Sequence, residues 1–274
     1  MGGYSMKVDY KYKVVVVTGA TGGIGRALSW RFASAGARIV LIDLDEEHLP
    51  AVQNQIERSG ADVLSIVCDI SDYDNCQQAM QQVTDHFGGI DLLINNAGIS
   101  HLSRFEDTDL AVFEKIMAVN YFGALYCTKA ALPSLIERRG AIATLSSAGG
   151  FAPMIGRVGY SASKHALHGL FESLRLELRE KGVHVMMVCP GATATEMHKN
   201  MLAGDGSTIS VPVNVRKKLA TPQEVAEAIF HGAQRQQRLV IHSRMSKRSW
   251  FYWKFFPSLF ERKLYKQWRS ELEV

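Results

Sequence analysis

The sequence predicts an α/β protein built on one open, doubly wound parallel sheet. Short apolar runs rich in β-branched residues alternate along the chain with helical patterns, which is the order typical of such sheets. The first run, residues 13–18 (Lys-Val-Val-Val-Val-Thr), has no polar/apolar alternation and therefore indicates a strand buried on both faces. With 274 residues and 47% apolar content, the chain can bury one substantial core.

A glycine-rich turn, residues 18–25 (Thr-Gly-Ala-Thr-Gly-Gly-Ile-Gly), follows this strand and leads into a helix that Gly36 ends. Gly19 allows a tight turn, Gly23 would let the backbone approach a pyrophosphate, and Gly25 would let the helix pack closely on the sheet. The spacing G-x-x-x-G-x-G differs from the common G-x-G-x-x-G fingerprint. A purely structural turn is the alternative, but the strand before it and the helix after it favour a phosphate cradle.

Asp43 ends the second predicted strand, residues 38–43, and lies eighteen residues after Gly25. An acidic side chain at this place accepts hydrogen bonds from the adenosine ribose hydroxyls and repels a 2′-phosphate. No basic residue occupies the turn before Gly23 or the two positions after Asp43. The sequence therefore favours NAD(H) as the cofactor, with NADP(H) as the alternative. A solvated aspartate at a strand end is the interpretation without a ligand.

Helices and strands continue to alternate after Asp43. The predicted elements are a helix at 45–59, a strand at 62–68, a helix at 73–87 and a strand from 90 that runs into a polar turn at 95–98. Asp69 and Ile70, directly after the first of these strands, would bracket an adenine ring. Asn95 and Asn96 suit a structural tie between neighbouring strands, and the pair Ala97-Gly98 leaves room for a ligand close to the backbone.

Tyr160 and Lys164 lie four residues apart in a predicted helix that runs to about residue 181, so they share one helix face. A free tyrosine titrates near pH ~10, and a neighbouring ammonium would lower that pKa and make the phenol a usable acid and base. Ser147 ends the apolar run 141–147, and a strand there would bring its hydroxyl to the same cleft. Taken alone, such a Tyr/Lys pair is weak evidence, because similar pairs occur by chance on solvated helices.

The last third of the catalytic region contains a long polar segment. A sixth strand, 183–189, ends at Pro190-Gly191, and residues 192–220 then lack clear periodicity, which is typical of a lid or binding loop. A helix at 222–234 begins with a capping-box pattern, Thr221 followed by Glu224. A short strand at 238–242 completes the predicted sheet.

The charge is concentrated at the carboxyl end. Residues 244–274 contain eight basic and three acidic residues, a net charge of +5, whereas the whole chain carries +4 and the remainder is therefore close to neutral at −1. This distribution argues against nucleic-acid binding by the main body. The four cysteines have no paired spacing and predict reduced thiols in a cytoplasmic protein, and no metal site is expected. No run approaches eighteen apolar residues, and the amino end has no secretory apolar region.

Six motifs in this order and spacing resemble those of the short-chain dehydrogenase/reductase family. They are Thr18-Gly-x-x-x-Gly-Ile-Gly25, Asn95-Asn-Ala-Gly98, Asn120, Ser147, Tyr160-x-x-x-Lys164 and Pro190-Gly-x-x-x-Thr195. The resemblance covers residues 13–241 and has no departure at the catalytic positions. It implies a seven-stranded parallel sheet in the order 3-2-1-4-5-6-7, with helices on both faces and the site at the carboxyl ends of the strands.

The resemblance also implies roles for single residues. Tyr160 would be the general acid/base, Lys164 would hold the nicotinamide ribose and lower the pKa of Tyr160, and Ser147 would orient the substrate oxygen. Asn120 would fix a water in a proton relay, although an isolated Asn in a helix is usually a packing or bending feature. Thr195 would reach the nicotinamide carboxamide. The expected cofactor-binding residues are Gly19, Thr21, Gly22, Gly23, Ile24, Gly25, Asp43, Asp69, Ile70, Asn96, Ala97, Gly98, Tyr160, Lys164, Pro190, Gly191, Thr193 and Thr195.

The implied reaction is interconversion of a secondary alcohol and a ketone by hydride transfer. A steroid, retinoid or other lipid-like substrate is favoured, and reduction of small or xenobiotic carbonyls with NADPH is the alternative. An apolar pocket would be lined by Ser147, Tyr160, Phe151, Met154, Met197 and Met201, or the methionines are ordinary loop packing. A non-catalytic NAD(H) sensor and a membrane-attached scaffold are the rival classes. His101 and Ser103 could reach the mouth of the site, but a solvated loop histidine is the expectation.

The predicted organisation is one catalytic domain, residues 1–243, and a carboxyl-terminal extension, residues 244–274. The extension contains three of the four tryptophans (Trp250, Trp253 and Trp268) interleaved with basic residues. This pattern is typical of a segment at a membrane interface, and peripheral membrane contact is expected through residues 247–268. An arm packing on a partner subunit or over its own site is an equally weighted alternative. By analogy, a homodimer or homotetramer is expected.

Overall fold

A computed structural model describes residues 7–210 and 219–268 of the chain. The strands are β1 (Val14–Thr18), β2 (Arg38–Asp43), β3 (Val63–Val67), β4 (Leu92–Asn95), β5 (Ala141–Leu145), β6 (His184–Cys189), β7 (Met201–Leu202), β8 (Thr208–Ile209) and β9 (Leu239–Ile241). The helices are α1 (Gly23–Ala33), α2 (Leu49–Glu57), α3 (Tyr73–Phe87), α4 (Leu110–Met117), α5 (Gly123–Glu137), α6 (Val158–Glu177), α7 (Pro222–Gln234), α8 (Arg244–Phe255) and α9 (Pro257–Trp268).

Seven strands form one parallel sheet in the order β3-β2-β1-β4-β5-β6-β9, which confirms the predicted topology. The crossover from β3 to β4 reverses the direction in which strands are added, so the carboxyl ends of β1 and β4 flank a crevice. Ligands bind at this switch point in open α/β sheets. The glycine turn after β1 and the Asn95-Asn96 turn after β4 both lie there.

The core lies on both faces of the sheet. Successive valines of β1 alternate between the two layers, with Val15 and Val17 packed in the layer of α1, α2 and α7 and Val14 and Val16 in the layer of α3, α5 and α6. Because both faces are buried, the strand needs no polar positions, which explains its uninterrupted apolar run.

Two predicted helix boundaries differ from the structure. The second helix begins at Leu49 rather than at residue 45, because the Asp45 carboxylate accepts the His48 N–H (3.0 Å) and forms a turn of its own. Helix α6 ends at Glu177 rather than near residue 181, and the chain then turns through Gly182 at φ +74°.

Among the described residues, one helical run, 110–137, is long and apolar enough to cross a membrane by length and composition alone. It comprises α4, a π-helical segment (Ala118–Phe122) and α5. Cys127, Ala131 and Leu135 of this run are buried in the core layer that also holds α3. The core therefore accounts for part of its apolar composition, since 33% of its most apolar window is buried.

The capping box at α7 gives a first prediction. The Thr221 hydroxyl accepts the Glu224 N–H (3.1 Å), and the Glu224 carboxylate accepts the Thr221 N–H (2.7 Å). We expect Thr221→Ala to lower the free energy of unfolding by about 1 kcal/mol, because it leaves helix N–H groups without their partner. Urea denaturation measures this loss. Thr221→Ser keeps the hydroxyl and serves as the control, and an equal loss in both variants would contradict the prediction.

Candidate active site

The glycine turn has the geometry that its sequence predicts. Gly19 has φ +65°, a conformation that residues with a Cβ rarely adopt. A Cβ on Gly25 would lie 2.1 Å from the Gly19 carbonyl oxygen, so only glycine lets α1 start this close to the sheet. A Cβ on Gly23 would lie 3.3 Å from the Thr195 methyl carbon. Thr195, from the loop after β6, therefore packs directly against the turn.

Asp43 is tied to the glycine turn. One carboxylate oxygen accepts the N–H and the hydroxyl of Thr21, each at 2.8 Å, and the other accepts the Asp45 N–H at 3.1 Å. Two carboxylate oxygens together offer about four acceptor sites, so capacity remains for a ribose hydroxyl. The carboxylate is fixed before any ligand binds, and the residues fit the adenosine end of a dinucleotide.

Arg26 is a cation that sequence reasoning missed. It follows the last glycine of the turn, and its Nε donates to the Thr21 carbonyl at 2.5 Å. Thr21 also contacts Asp43, so the guanidinium lies on the same turn as the proposed ribose acceptor. A phosphate-binding cation was expected only in the turn before Gly23 or directly after Asp43. The fold brings Arg26 to the glycine turn because α1 starts immediately after it.

The turns after β3 and β4 hold further predicted contacts. Asp69 accepts the N–H and hydroxyl of Ser71 (2.9 and 2.7 Å) and shapes its own turn. The Ile70 side chain packs into the core, where its Cδ1 would lie 2.6 Å from a Cβ on Gly123. Ile70 is only 8% exposed, so little of its side chain can bracket an adenine ring, in contrast to the prediction.

Asn95, the last residue of β4, and Asn96, which follows it, tie strands together, as predicted. Asn95 donates to the hydroxyls of Thr128 (2.9 Å) and Thr144 (3.4 Å), which links β4 to α5 and β5. Asn96 donates to the carbonyls of Thr18 (2.8 Å) and Gly19 (3.0 Å), which links β4 to the glycine turn. These bonds hold the two sides of the crevice at a fixed distance.

Ser147, Tyr160 and Lys164 meet at the carboxyl end of β5. Ser147 follows the strand, and its hydroxyl is hydrogen-bonded to that of Tyr160, on the first turn of α6. Lys164 lies one turn further, 5.8 Å from the Tyr160 ring centroid, and its Nζ donates to the Leu145 carbonyl at 2.9 Å. Tyr160 and Lys164 are only 8% and 4% exposed.

Asn120 connects this group to the crevice. Its Nδ2 donates to the Ile99 carbonyl (3.0 Å) and the Ser163 hydroxyl (2.9 Å), and its Oδ1 accepts the Ile99 N–H (2.8 Å). It lies in the π-helical segment, a local bend of the kind often found at functional sites. The side chain is therefore a packing and bending feature, and its part in a proton relay stays a prediction.

The Lys164 ammonium has room for a ligand. It carries three N–H donors, and the Leu145 carbonyl is its hydrogen-bond partner among the described residues. A Cβ on Gly98 would lie 3.0 Å from the Asn120 Oδ1 and 3.4 Å from Nζ, so a side chain at this position would crowd the ammonium. A buried cation with unused donors suits the hydroxyls of a ribose.

Burial dominates the pKa values at the site. Burial raises the pKa of Tyr160 above its usual value, although the Ser147 hydrogen bond and the charge of Arg157 act to lower it. Burial also lowers the pKa of Lys164 to about 8. The sequence predicted that Lys164 would lower the pKa of Tyr160. The cost of a buried phenolate outweighs any such effect, so Tyr160 is a neutral phenol at pH 7.

His101 corrects a second expectation. It is 1% exposed rather than solvated. Its Nε2 accepts the N–H of Gly159, the residue before Tyr160, at 3.1 Å, and its Nδ1 lies 3.0 Å from the Ser103 hydroxyl. Because Nε2 accepts a hydrogen bond, the imidazole is neutral with its proton on Nδ1. His101 therefore fixes the start of α6 and with it the position of Tyr160.

This contact gives a prediction for stability against pH. Burial and the nearby charge of Arg157 lower the pKa of His101 below its unfolded value of 6.5. The stability that it contributes is fully present above pH 6.5 and is lost as the pH falls through the folded pKa. We expect His101→Phe to lower the free energy of unfolding by about 1–3 kcal/mol at pH 7.5, because the Gly159 N–H loses its acceptor. Below pH 6.5 the difference from wild type should shrink.

Urea denaturation between pH 7.5 and pH 5 measures both effects. The stability of His101→Phe should keep a residual pH dependence, because burial also lowers the pKa of His168 and of His184. The exposed His86, replaced by Gln, is the control. A constant difference between His101→Phe and wild type at all pH values would contradict the prediction.

The segment 192–210 packs on the loop after β4. Leu202 of β7 exchanges backbone hydrogen bonds with the loop after β4 (Leu202 N–H to the Ser100 carbonyl and Leu102 N–H to the Leu202 carbonyl, both 2.9 Å). Residues 201–209 form a two-stranded hairpin, β7-β8, within the segment that the sequence predicts as a lid or binding loop. Thr193 donates to the Gly191 carbonyl at 2.9 Å and shapes the turn after β6.

The structure does not gather the predicted apolar pocket. Met201 is 2% exposed within β7, whereas Met197 is 40% exposed. A cavity of about 340 Å³ lies beside the loop after Ser147, and Met154 alone of the predicted set lines it. Its other lining residues are Pro153, Val158, Ser161, Ala162, His165 and Trp253. Trp253 belongs to the extension, so α8 packs against its own domain beside the site, one of the two alternatives for the arm.

Comparisons with known proteins agree with this geometry. A family model described as short chain dehydrogenase matches residues 13–206. Dehydrogenase/reductase SDR family member 7B of Xenopus tropicalis is 37% identical over 236 residues, which cover 83% of this chain and 76% of that protein. The protein of the same name from Bos taurus is 32% identical over 274 residues, with coverage of 97% and 84%.

Solved structures share the fold. A short chain dehydrogenase/reductase from Burkholderia phymatum, solved in complex with NAD, superposes with a TM-score of 0.82 at 23% identity and covers 92% of this chain and 96% of its own. A short chain dehydrogenase from Mycobacterium paratuberculosis, bound to NAD, gives a TM-score of 0.78 at 24% identity, with coverage of 88% and 100%. By motif order, sheet topology and sequence similarity, the chain belongs to the short-chain dehydrogenase/reductase family of oxidoreductases.

Proposed function

We propose that the protein is an NAD-dependent oxidoreductase that interconverts a secondary alcohol and a ketone on an apolar, lipid-like substrate. The observation that carries the proposal is the buried group of Ser147, Tyr160 and Lys164 at the carboxyl end of β5. Its members have the residue types and separations that acid/base chemistry at a carbonyl requires. A protein that only sensed NAD(H) would not need this group.

The glycine turn, Asp43 and Lys164 would hold the dinucleotide. Bound NAD(H) supplies hydride chemistry that no side chain can provide. The turn offers backbone N–H groups at the start of α1 to the pyrophosphate, Asp43 offers acceptors to the adenosine ribose, and Lys164 offers its unused N–H donors to the second ribose.

Ser147 and Tyr160 would act on the substrate oxygen. In reduction, the Tyr160 hydroxyl donates its proton to the oxygen that develops negative charge, while the Ser147 hydroxyl holds that oxygen by a hydrogen bond. In oxidation, the Tyr160 phenolate takes the proton from the substrate hydroxyl. Burial keeps Tyr160 protonated at neutral pH, and the protonated phenol is the form that reduction requires. The ammonium of Lys164, with a pKa of about 8, stays largely charged at pH 7.

NADPH-dependent reduction of carbonyl compounds is the second candidate function. The observation that favours it is the position of Arg26. Its guanidinium donates to the carbonyl of Thr21, the same residue whose N–H bonds Asp43, and would there pair with a 2′-phosphate.

Turnover assays on the full chain test the proposal. Hydrophobic secondary alcohols with NAD, and the corresponding ketones with NADH and NADPH, are followed by the absorbance of the reduced cofactor. We expect turnover with apolar substrates and NAD(H). Tight cofactor binding without turnover of either substrate class would favour a sensor, whereas turnover of ketones with NADPH alone would favour the second candidate.

A further inference from the structure

A second, larger cavity lies at the edge of the sheet, away from Tyr160. Its volume is about 860 Å³, and it is an open concavity bordered by the end of α7, strand β9 and the start of α8. Its lining residues are Ala228, His231, Gly232, Arg235, Gln237, Leu239, Val240, Ile241, His242, Ser243, Arg244, Lys247, Trp250 and Phe251. We call it the basic cavity.

Charge in the basic cavity is of one sign. Arg235, Arg244 and Lys247 line it, and no acidic residue is among its described lining residues. Within the described part of the chain, none of these three cations takes part in an ion pair. The nearest carboxylate contact to the lining is that of Glu227, which bonds His231 (2.8 Å) and also pairs with Arg31. Three unpaired cations around one concave surface favour an anionic ligand.

The cavity opens beside an exposed aromatic surface. Phe251, Tyr252 and Phe255 of α8 and Phe256 directly after it, together with Leu259 and Tyr265 of α9, are 38–63% exposed. The α8 rings contact one another, for example Phe251 and Phe255 with centroids 5.0 Å apart, rather than the core. We call this surface the aromatic face. Contiguous large apolar side chains of this kind usually mark a contact site.

Helix α8 is anchored firmly enough to present both features. The Ser243 hydroxyl caps the helix by accepting the Ser246 N–H (3.0 Å), and a Cβ on Gly191 would lie 2.6 Å from the Ser243 oxygen. On its inward side, Trp253 packs against the loop after Ser147 and against Phe260 of α9 (ring centroids 5.8 Å apart). The helix therefore has one side on the domain and one side in solvent.

We propose that the basic cavity and the aromatic face together form a docking surface for an anionic lipid membrane. The basic cavity receives the phosphate head group of a lipid, and the aromatic side chains enter the interfacial layer beside it. Lys254, Arg262, Lys263 and Lys266 of the same two helices are exposed and add attraction to the anionic surface. The basic cavity thus matches the charged head-group layer of a membrane, and the aromatic face matches the more apolar layer beneath it.

Vesicle co-sedimentation of the full chain, without cofactor or substrate, tests this surface. We expect equimolar phosphatidylcholine/phosphatidylglycerol vesicles to bind at least about tenfold more strongly than phosphatidylcholine vesicles, and rising salt to weaken binding. Arg244→Glu combined with Lys247→Glu should lower the binding constant at least about tenfold. Phe255→Ser should weaken binding to both vesicle types.

Matched controls separate the surface from general charge and exposure. Arg179→Glu combined with Lys181→Glu makes the same charge change on exposed residues after α6, and Trp30→Ser removes an exposed aromatic ring from α1. Both should bind vesicles as wild type does. NADH titration and the unfolding midpoint confirm that each variant is folded, and because the sedimentation assay needs no turnover, its result is independent of the proposed reaction.

Three outcomes would overturn the proposal. Binding to phosphatidylglycerol vesicles that is unchanged in the Arg244/Lys247 variant would remove the head-group site. Equal loss in the Arg179/Lys181 variant would show a general effect of charge. A wild type that ignores vesicles but sediments alone as a dimer, which the Arg244/Lys247 variant dissociates, would make the surface an interface between copies of this chain.

Discussion

Replacing Tyr160 with phenylalanine should lower kcat by about two to four orders of magnitude, the usual contribution of a general acid/base. The ring fills the same space, and Tyr160 makes its described side-chain hydrogen bond with Ser147, so the fold and the cofactor affinity should be retained. Steady-state turnover and NADH titration measure the two quantities separately. Tyr126→Phe removes a hydroxyl from a half-buried ring on α5 and should leave kcat unchanged.

The pH profile of the wild type carries a sharper form of this prediction. Because burial raises the pKa of Tyr160, the acid form needed for reduction persists through neutral pH, and the phenolate needed for oxidation grows only as the pH rises. We therefore expect oxidation to accelerate with pH while reduction stays nearly constant up to about 8, where Lys164 loses its charge. Residual activity of Tyr160→Phe that keeps the wild-type pH profile would rule out Tyr160 as the titrating group.

Sequence patterns predicted the elements that interactions between neighbouring residues determine. The valines of β1, the glycine turn and the capping box at Thr221 and Glu224 each have causes contained within a few residues. The fold class follows from the alternation of these elements, and the strand order follows from the family resemblance. Sequence reasoning succeeded where one residue type is required by its own backbone, as for Gly19 and Gly25.

Features that depend on distant contacts could not be predicted in the same way. His101 looks like a loop residue in the sequence, and only its bond to Gly159, 58 positions away, makes it a buried positioning residue. The methionines of the 192–210 segment separate because Met201 joins a hairpin whose partner strand is a few residues further on. The raised pKa of Tyr160 results from burial of the site. The sequence spacing between Tyr160 and Lys164 does not show this burial.

The basic cavity shows the same limit. Its cations come from α7 and α8, on either side of β9, and their meeting depends on how α8 returns over the sheet edge. The sequence did reveal the charge and the aromatic content of the extension, because both are properties of composition. The face on which each side chain lies required the fold.

Substitution of Asp43 should change the preference between NADH and NADPH, and the hydrogen bonds of Asp43 indicate which substitution to test. Asp43→Asn keeps an oxygen that can accept the Thr21 N–H while it removes the negative charge, so the glycine turn stays in place. We expect its affinity for NADH to fall by about tenfold, as loss of a charged hydrogen bond to ribose implies, and its affinity for NADPH to rise. Fluorescence titration of both cofactors measures the shift. Asp45→Asn, two residues later, is the control for charge alone.

Arg26 separates the two explanations of any NADPH binding. If the guanidinium pairs with a 2′-phosphate, Arg26→Ala should weaken NADPH by about tenfold and leave NADH nearly unchanged. In the background of Asp43→Asn the effect of Arg26 should be larger, because the carboxylate no longer repels the 2′-phosphate with which the guanidinium would pair. A wild type that prefers NADPH, and loses that preference with Arg26→Ala, would overturn the assignment of NAD from Asp43. Reduction of carbonyl compounds would then be the better description of the reaction, because the protonated Tyr160 is already suited to it.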